Sequence, residues 1–247
     1  MGAFMLLSCV RHGESTYNAE NRVQGQTDIP LSELGILQSE AVAQALADSS
    51  VRARSDRGVV TDVNAKADVQ VEAVFERTEH RLWPPIELVW SSPLRRALQT
   101  AQIIARRLNV PIVTDPRLKE LDAGVFQGRL RRDLETLFPE EYARWLAGDL
   151  DFVIPQGESR RQLMTRGAAV LRDIAAGPQQ HVVVVAHGGL LTAALRALLG
   201  TEHTLNPFAL QNASITRLRI EPAGVTLIEL NNTEHLRDIG PASGGDL

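Results

Sequence analysis

The pattern of apolar and polar positions divides the chain into short blocks of two kinds. Residues 3–10 form an apolar run broken by Arg11 and His12, the length and content of a buried strand. A polar, glycine-containing loop follows over residues 21–30. Ser32 then caps a helix in which Leu34, Leu37, Ala41 and Ala45 recur at helical spacing and are expected to face a sheet. Residues 86–90 read as a second strand. After them Ser91-Ser92-Pro93 opens a helix with Arg95 and Arg96 in its first turn and Ala97, Thr100, Ala101, Ile104 and Ala105 along one side. Residues 110–113 read as a short strand, with Glu120 near a strand exit. Gly157-Glu158-Ser159 precedes a helix through Leu163, Val170, Leu171 and Ile174. Residues 181–186 then form a β-branched run of the kind found in strands buried on both faces, ending in His187-Gly188-Gly189 and a helix to Leu199. Two alternating segments, 214–220 and 225–230, read as strands joined by a turn at Pro222 and Gly224.

Strands alternating with helices predict an α/β fold: a three-layer sandwich with a mostly parallel central sheet and helices on both faces. At 247 residues and 44% hydrophobic content, one large domain spanning residues 1–247 is expected. Two stretches elaborate it. Residues 49–85 are longer than an ordinary connection and read as an insertion, with an alternation at Val69, Val71, Ala73 and Phe75 that suits an extended strand. Residues 127–156 are helical by content and read as a cap carrying Arg129, Arg131, Arg132 and Arg144. Those arginines suit either a solvated helix face or contact with an anionic substrate.

The net charge of −4 supplies no overall basic field, so neither nucleic acid nor an anionic membrane is expected as a partner. Any anionic ligand has to be held by local positive charge. The single cysteine, Cys9, can form no internal disulfide, which fits a cytoplasmic protein. The apolar run at the start is too short to span a membrane and leads directly into Arg11 and His12, so it is expected to be a strand and not a leader.

Mostly parallel sheets bind ligands beyond the carboxyl ends of their strands. Arg11 with His12, Arg95, Glu120 and His187 all fall at that rim. An Arg-His-Gly alone means little. Two guanidinium groups, two imidazoles and a carboxyl group at one rim make a phosphate pocket with a nucleophile and a proton donor. Metal chemistry is the competing reading. The spacings match no compact zinc pattern, and two arginines would repel a divalent ion, so neither a metal nor a cofactor is expected.

The chain resembles the histidine phosphatase superfamily, the phosphoglycerate mutase-like group. The resemblance is carried by Val10-Arg11-His12-Gly13-Glu14-Ser15 with Asn18, by Arg22-Val23-Gln24-Gly25, by Leu31-Ser32-Glu33-Leu34-Gly35 and by Ser91-Ser92-Pro93-Leu94-Arg95-Arg96-Ala97. Glu120 with Gly124 and Phe126-Gln127-Gly128, Gly157-Glu158-Ser159 and Ala186-His187-Gly188-Gly189 complete the series. It implies a metal-free mechanism in which His12 takes the phosphoryl group, Arg11, Arg95 and His187 clamp its oxygens, and Asn18 and the Gly188 backbone complete the cradle. Gln24 and Gly25 would stand at its edge. Glu120 would protonate the departing alkoxide and then assist water. The implied partner is a small phosphorylated substrate, and a homodimer remains an option. The segment after Glu120, residues 121–128, is short and free of basic residues, which resembles the phosphatases of the family more than the cofactor-dependent phosphoglycerate mutases. A phosphomonoesterase is therefore expected, with a mutase as the alternative and a non-catalytic phospho-ligand binder as a third reading.

Overall fold

The computed structural model describes residues 4–51, 83–201 and 208–239. Residues 52–82, and with them the alternation at Val69 to Phe75, lie outside the described residues. Six strands form one sheet in the order β3-β2-β4-β1-β5-β6. β1 (Met5–Arg11), β4 (His181–Ala186), β2 (Leu88–Ser91) and β3 (Ile112–Thr114) run parallel. β5 (Ile215–Glu221) and β6 (Gly224–Asn232) form an antiparallel hairpin, with β5 against β1.

Every residue of β1 and β4 is buried, because helices cover both faces of the sheet. On one face Leu7, Cys9, Val182 and Val184 pack with α6 (Arg160–Ala175) and α7 (Gly188–Leu199). On the other, Val10, Val183 and Val185 pack with α2 (Glu33–Val51) and α3 (Arg95–Leu108). This alternation is the period-2 pleat of a central strand. Each fully buried valine here contributes about 1.5–3 kcal/mol of transfer free energy. The α/β sandwich with a mostly parallel sheet is thus present, its parallel part ending at β1. Within residues 127–156 lie two short helices, α4 (Leu134–Leu137) and α5 (Pro139–Leu146).

α2 corrects the expectation for its buried face. Ser32 does cap it, accepting the Gly35 N–H at 3.0 Å. Leu37, however, is 53% exposed, while Gln38, Ser39, Val42, Ala43 and Leu46 are buried. The cause lies in the loop after β1. Gln38 Oε1 accepts the Glu14 N–H at 2.8 Å, and Ser39 Oγ lies 3.0 Å from Thr100 Oγ1, so two polar residues take core positions and rotate the apolar face. Gly35 permits this approach: a Cβ there would stand 1.9 Å from the Glu14 carbonyl oxygen. Residues 16–19, for which no element was expected, form α1 (Thr16–Ala19), capped reciprocally by Ser15 and Asn18.

His181, at the start of β4, is buried, and its Nδ1 donates to the Pro84 carbonyl at 2.7 Å. Nε2 lies 2.8 Å from Ser8 Oγ, which donates to it. The neutral ring is satisfied at both nitrogens. Burial lowers its pKa to about 4. A histidine held below its unfolded value binds its proton more readily when unfolded, so stability is complete above the unfolded pKa near 6.5 and falls as pH drops towards 4. His181→Asn should flatten that dependence. Unfolding free energies from urea titrations at pH 7.5 and 5.0 should fall with acid in the parent by about 2 kcal/mol. Parallel losses in parent and variant would show that another group carries the effect.

Candidate active site

Three strands deliver the site at one level. Arg11 lies beside Ala186 in the β1–β4 ladder, and Ser91 beside Val185 in the β2–β4 ladder. The next residues, His12, His187 and Ser92, therefore leave the sheet side by side. The His12 N–H donates to the Ala186 carbonyl at 3.0 Å, and the Ser92 N–H to the Val185 carbonyl at 3.0 Å. The His12 and His187 rings meet edge-on with centroids 5.1 Å apart.

The His12 ring is fixed in one tautomer by its neighbours. Nδ1 lies 2.6 Å from the carbonyl oxygen of Gly13, which can only accept, so Nδ1 carries the proton. Nε2 accepts from Arg96 Nε at 3.2 Å and so keeps a lone pair. Arg96 is fully buried. Its Nη1 and Nη2 donate to the carbonyls of Thr27 and Gly25 at 2.9 and 2.8 Å.

Arg96, and not Arg95, the residue expected to clamp phosphate, faces the rim beside His12. Arg95 is exposed, and its backbone N–H donates to Asp28 at 2.6 Å. Successive residues on a helix point about 100° apart, so only one of the pair can face the rim. The deciding signal was in the chain: Arg96 stands four residues before Thr100 on the buried face of α3. Thr100 Oγ1 in turn accepts the Gly13 N–H at 3.1 Å, tying α3 to the loop that carries His12.

The other expected residues gather at the same rim. Arg11 is buried and donates from Nη1 to the Leu210 carbonyl at 2.7 Å. Asn18 is buried in the cap of α1; its Oδ1 accepts from Ser15 N and Asn212 Nδ2, and its Nδ2 has no hydrogen-bond partner among the described residues. Gln24 Oε1 accepts the Ser15 hydroxyl at 2.6 Å, and Gly25 offers its carbonyl to Arg96. His187 Nε2 lies 2.8 Å from Ser92 Oγ, while its Nδ1 is buried without a partner among the described residues. Burial pushes the His187 pKa well below its usual value, and the charges of Arg96, His12 and Arg11 add to the shift. The ring is therefore neutral in the open pocket.

Glu120 is buried at the N-terminus of α7. Its carboxylate accepts from Leu121, Gly189 and Leu190 N–H at 2.8, 3.0 and 2.9 Å. Gly189 leaves room for it, since a Cβ there would stand 2.6 Å from Oε1. The helix terminus, a natural anion site, thus holds a protein carboxylate in a fixed place.

A cavity of about 200 Å³ opens from this rim, with Arg11, Gln24, Gly25, Glu120 and Gly188 at one end. Its walls include Arg131, Arg160 and Arg196. Of the four arginines singled out in residues 127–156, Arg131 alone lines it. Arg129 and Arg132 are exposed, and Arg144 pairs with Asp149 at 2.6 Å. Arg160 and Arg196 carried no recognisable motif. Their role is visible only once α6 and α7 pack side by side. Among the described residues, no group of three or more His, Cys, Asp and Glu side chains is placed to hold a metal ion, and no helix is long and apolar enough to cross a membrane.

Comparison with known proteins bears directly on this arrangement. The family described as the histidine phosphatase superfamily (branch 1) matches residues 7–62 and 58–233. "Putative phosphoserine phosphatase 2" of Hydrogenobacter thermophilus is 27% identical over 235 residues, covering 94% of this chain and 98% of that protein. "Probable phosphoglycerate mutase GpmB" of Proteus mirabilis is 31% identical over 241 residues, covering 93% and 94% respectively. Among solved structures, a mycobacterial glucosyl-3-phosphoglycerate phosphatase in complex with VO3 superposes with a TM-score of 0.67 at 27% identity, covering 93% of this chain and all of that one. The family match and the superposition extend over nearly the whole length, and the chain belongs to the histidine phosphatase superfamily, among its phosphatase and phosphoglycerate mutase-like enzymes.

Proposed function

We propose that the protein is a metal-independent phosphomonoesterase that works through a phosphohistidine on His12. The observation that carries this reading is the tautomer of His12: Nδ1–H is tied to the Gly13 carbonyl, and the lone pair of Nε2 faces a guanidinium. A substrate phosphate brought into that place gives its oxygens to Arg96 and Arg11, freeing Nε2 to attack phosphorus. The P–O bond to the leaving group breaks as the P–N bond forms. Asn18 Nδ2, the Gly188 N–H and His187 add donors around the equatorial oxygens. With Ser92 Oγ donating to Nε2 of His187, that ring's proton sits on Nδ1 and can be given to a phosphate oxygen.

Glu120, a carboxylate held by three N–H donors in the open pocket, takes up a proton from solvent as the phosphate dianion enters beside it, and gives that proton to the leaving alkoxide. As a carboxylate it then takes a proton from the water that attacks phosphorus, the P–N bond breaks, and inorganic phosphate leaves with His12 restored. Hydrolysis, and not transfer to a second substrate, is favoured by the absence of basic residues in the segment 121–128 that follows the acid. A mutase is the second reading, favoured by the 31% identity to the protein from Proteus mirabilis.

The test is turnover in EDTA on p-nitrophenyl phosphate and on alkyl phosphates, with 3-phosphoglycerate assayed for both released phosphate and isomerised product. Release from each ester is expected. Isomerisation without release would make the protein a mutase, and no reaction with retained vanadate binding would make it a binder. In the same assay Glu120→Gln should slow alkyl phosphates by about 10²–10⁴. The loss on p-nitrophenyl phosphate should be much smaller, because that leaving group needs little protonation. Equal losses on both would remove Glu120 from the acid role.

A further inference from the structure

We infer that Arg131, Arg160 and Arg196 form a second anion subsite, so that the substrate is a phosphomonoester carrying another oxyanion, a carboxylate or a second phosphate, at its far end. The inference rests on the phosphatase reading for the reacting end of the cavity and adds the chemistry of the other end.

The three arginines reach one cavity from separate parts of the chain. Arg131 comes from the segment after Glu120, Arg160 from the first turn of α6 and Arg196 from the last turn of α7. Along α7 the cavity is lined by Gly188, Thr192 and Arg196, one helical face at spacing of four. That face starts at Gly188, beside Glu120, and ends at Arg196, about 12 Å away along the helix axis at 1.5 Å per residue. Between the ends the lining is apolar, with Leu121, Leu163, Met164 and Phe208. Among the described residues of the lining, Glu120 is the one acidic side chain. The cavity is therefore a channel with cations at both ends and a hydrocarbon wall between them.

Arg160 is held ready for this role. Its guanidinium stacks 3.4 Å from the centroid of the Trp145 ring, and Nη1 donates to the Trp145 carbonyl at 2.7 Å. Burial and the neighbouring charge of Arg196 lower its pKa to about 10, which leaves it cationic at neutral pH. Fork-shaped donors suit a planar carboxylate or a phosphate better than a sugar hydroxyl. Phosphoserine, phosphoglycerate and glucosyl-3-phosphoglycerate, the compounds in the names of the three relatives, each carry a carboxylate beside the phosphate.

The test compares matched esters with and without the second anion. 3-Phosphoglycerate is set against glycerol 3-phosphate, and 1,3-propanediol bisphosphate against propyl phosphate. The parent protein should favour the anion-bearing member of at least one pair by about 30-fold in kcat/KM, the worth of one or two charge-assisted contacts. The preferred pair tells carboxylate from phosphate. Arg160→Gln should collapse that ratio at least tenfold, chiefly through KM. Arg131→Gln, at a half-exposed position, gives the same reading should the first variant fail to fold. Equal kcat/KM within both pairs for the parent, or a loss shared equally by both members in the variants, would overturn the subsite. If no ester turns over, the phosphatase reading has failed on its own. Calorimetric titration of the parent with 3-phosphoglycerate and glycerol 3-phosphate then reads the same ratio as an affinity: tighter binding of the carboxylate upholds the subsite, equal binding sinks it.

Discussion

Arg96→Gln should lower kcat/KM by about 10²–10³, and Arg95→Gln by no more than about twofold, on the same phosphate ester. The two residues are adjacent, so the contrast isolates direction from position. Arg96 donates from Nε to His12 Nε2 and from its two amino groups to the carbonyls of Thr27 and Gly25. A dianionic phosphate in the pocket would draw that guanidinium into charge-assisted bonds that strengthen as negative charge builds on the transferring group. Glutamine can neither supply the charge nor span the same acceptors. It also takes the donor from the buried Gly25 carbonyl, at about 1–3 kcal/mol, and from the half-buried Thr27 carbonyl, so the melting temperature has to be measured beside the rate. Arg96→Lys keeps the charge without the fork and should recover part of the rate while remaining well below the parent. A larger loss from Arg95→Gln than from Arg96→Gln would mean that the observed rotamer is not the working one.

What was legible in the sequence follows from which interactions are local. Strand β4 could be read directly, because five apolar residues after His181 have no arrangement in water as favourable as burial on both faces. The hairpin β5–β6 was legible from alternation and its turn residues, though β6 runs two residues beyond the expected end. Choosing between Arg95 and Arg96 needed the helix phase, which Thr100 and Ala101 set. Reading α3 as beginning at Ser91-Ser92-Pro93 hid that phase. The helix instead starts at Arg95, and the Ser92 hydroxyl is spent on His187 and the Leu94 N–H. For α2 the misleading feature was polarity. Gln38 and Ser39 stand outside the apolar series, yet Gln38 accepts the Glu14 N–H, and Ser39 donates to the Gly35 carbonyl and lies 3.0 Å from Thr100 Oγ1. The three arginines of the far cavity were illegible for a different reason. Their grouping depends on the packing of α6 against α7 and on a segment more than 25 residues away in sequence, and no local pattern records it.

His12→Ala should reduce turnover by about 10⁴ or more and abolish the covalent intermediate. Both imidazoles at the rim are candidates to carry phosphorus, and hydrogen bonding separates them. His12 keeps its proton on Nδ1, so Nε2 has an available lone pair once Arg96 turns to the phosphate. In the mechanism proposed, His187 accepts at Nε2 from Ser92 Oγ, 2.8 Å away, and acts from Nδ1 as a donor to the phosphate oxygens. Rapid quenching of the parent with ³²P-labelled substrate should give a label that is acid-labile and stable to base, on a peptide containing residue 12. His187→Ala should still form that label, more slowly, because it removes a donor to the oxygens and not the nucleophile. His12→Ala should form none, yet should still bind vanadate, since Arg11, Arg96 and Asn18 remain around the phosphate position. Vanadate binding also shows that the variant is folded, although Arg96 Nε has lost its acceptor. A label that survives in His12→Ala and disappears in His187→Ala would reverse the two roles. Rapid turnover with no label in the parent would replace the covalent route with direct attack by water, in which Glu120 acts as base from the outset.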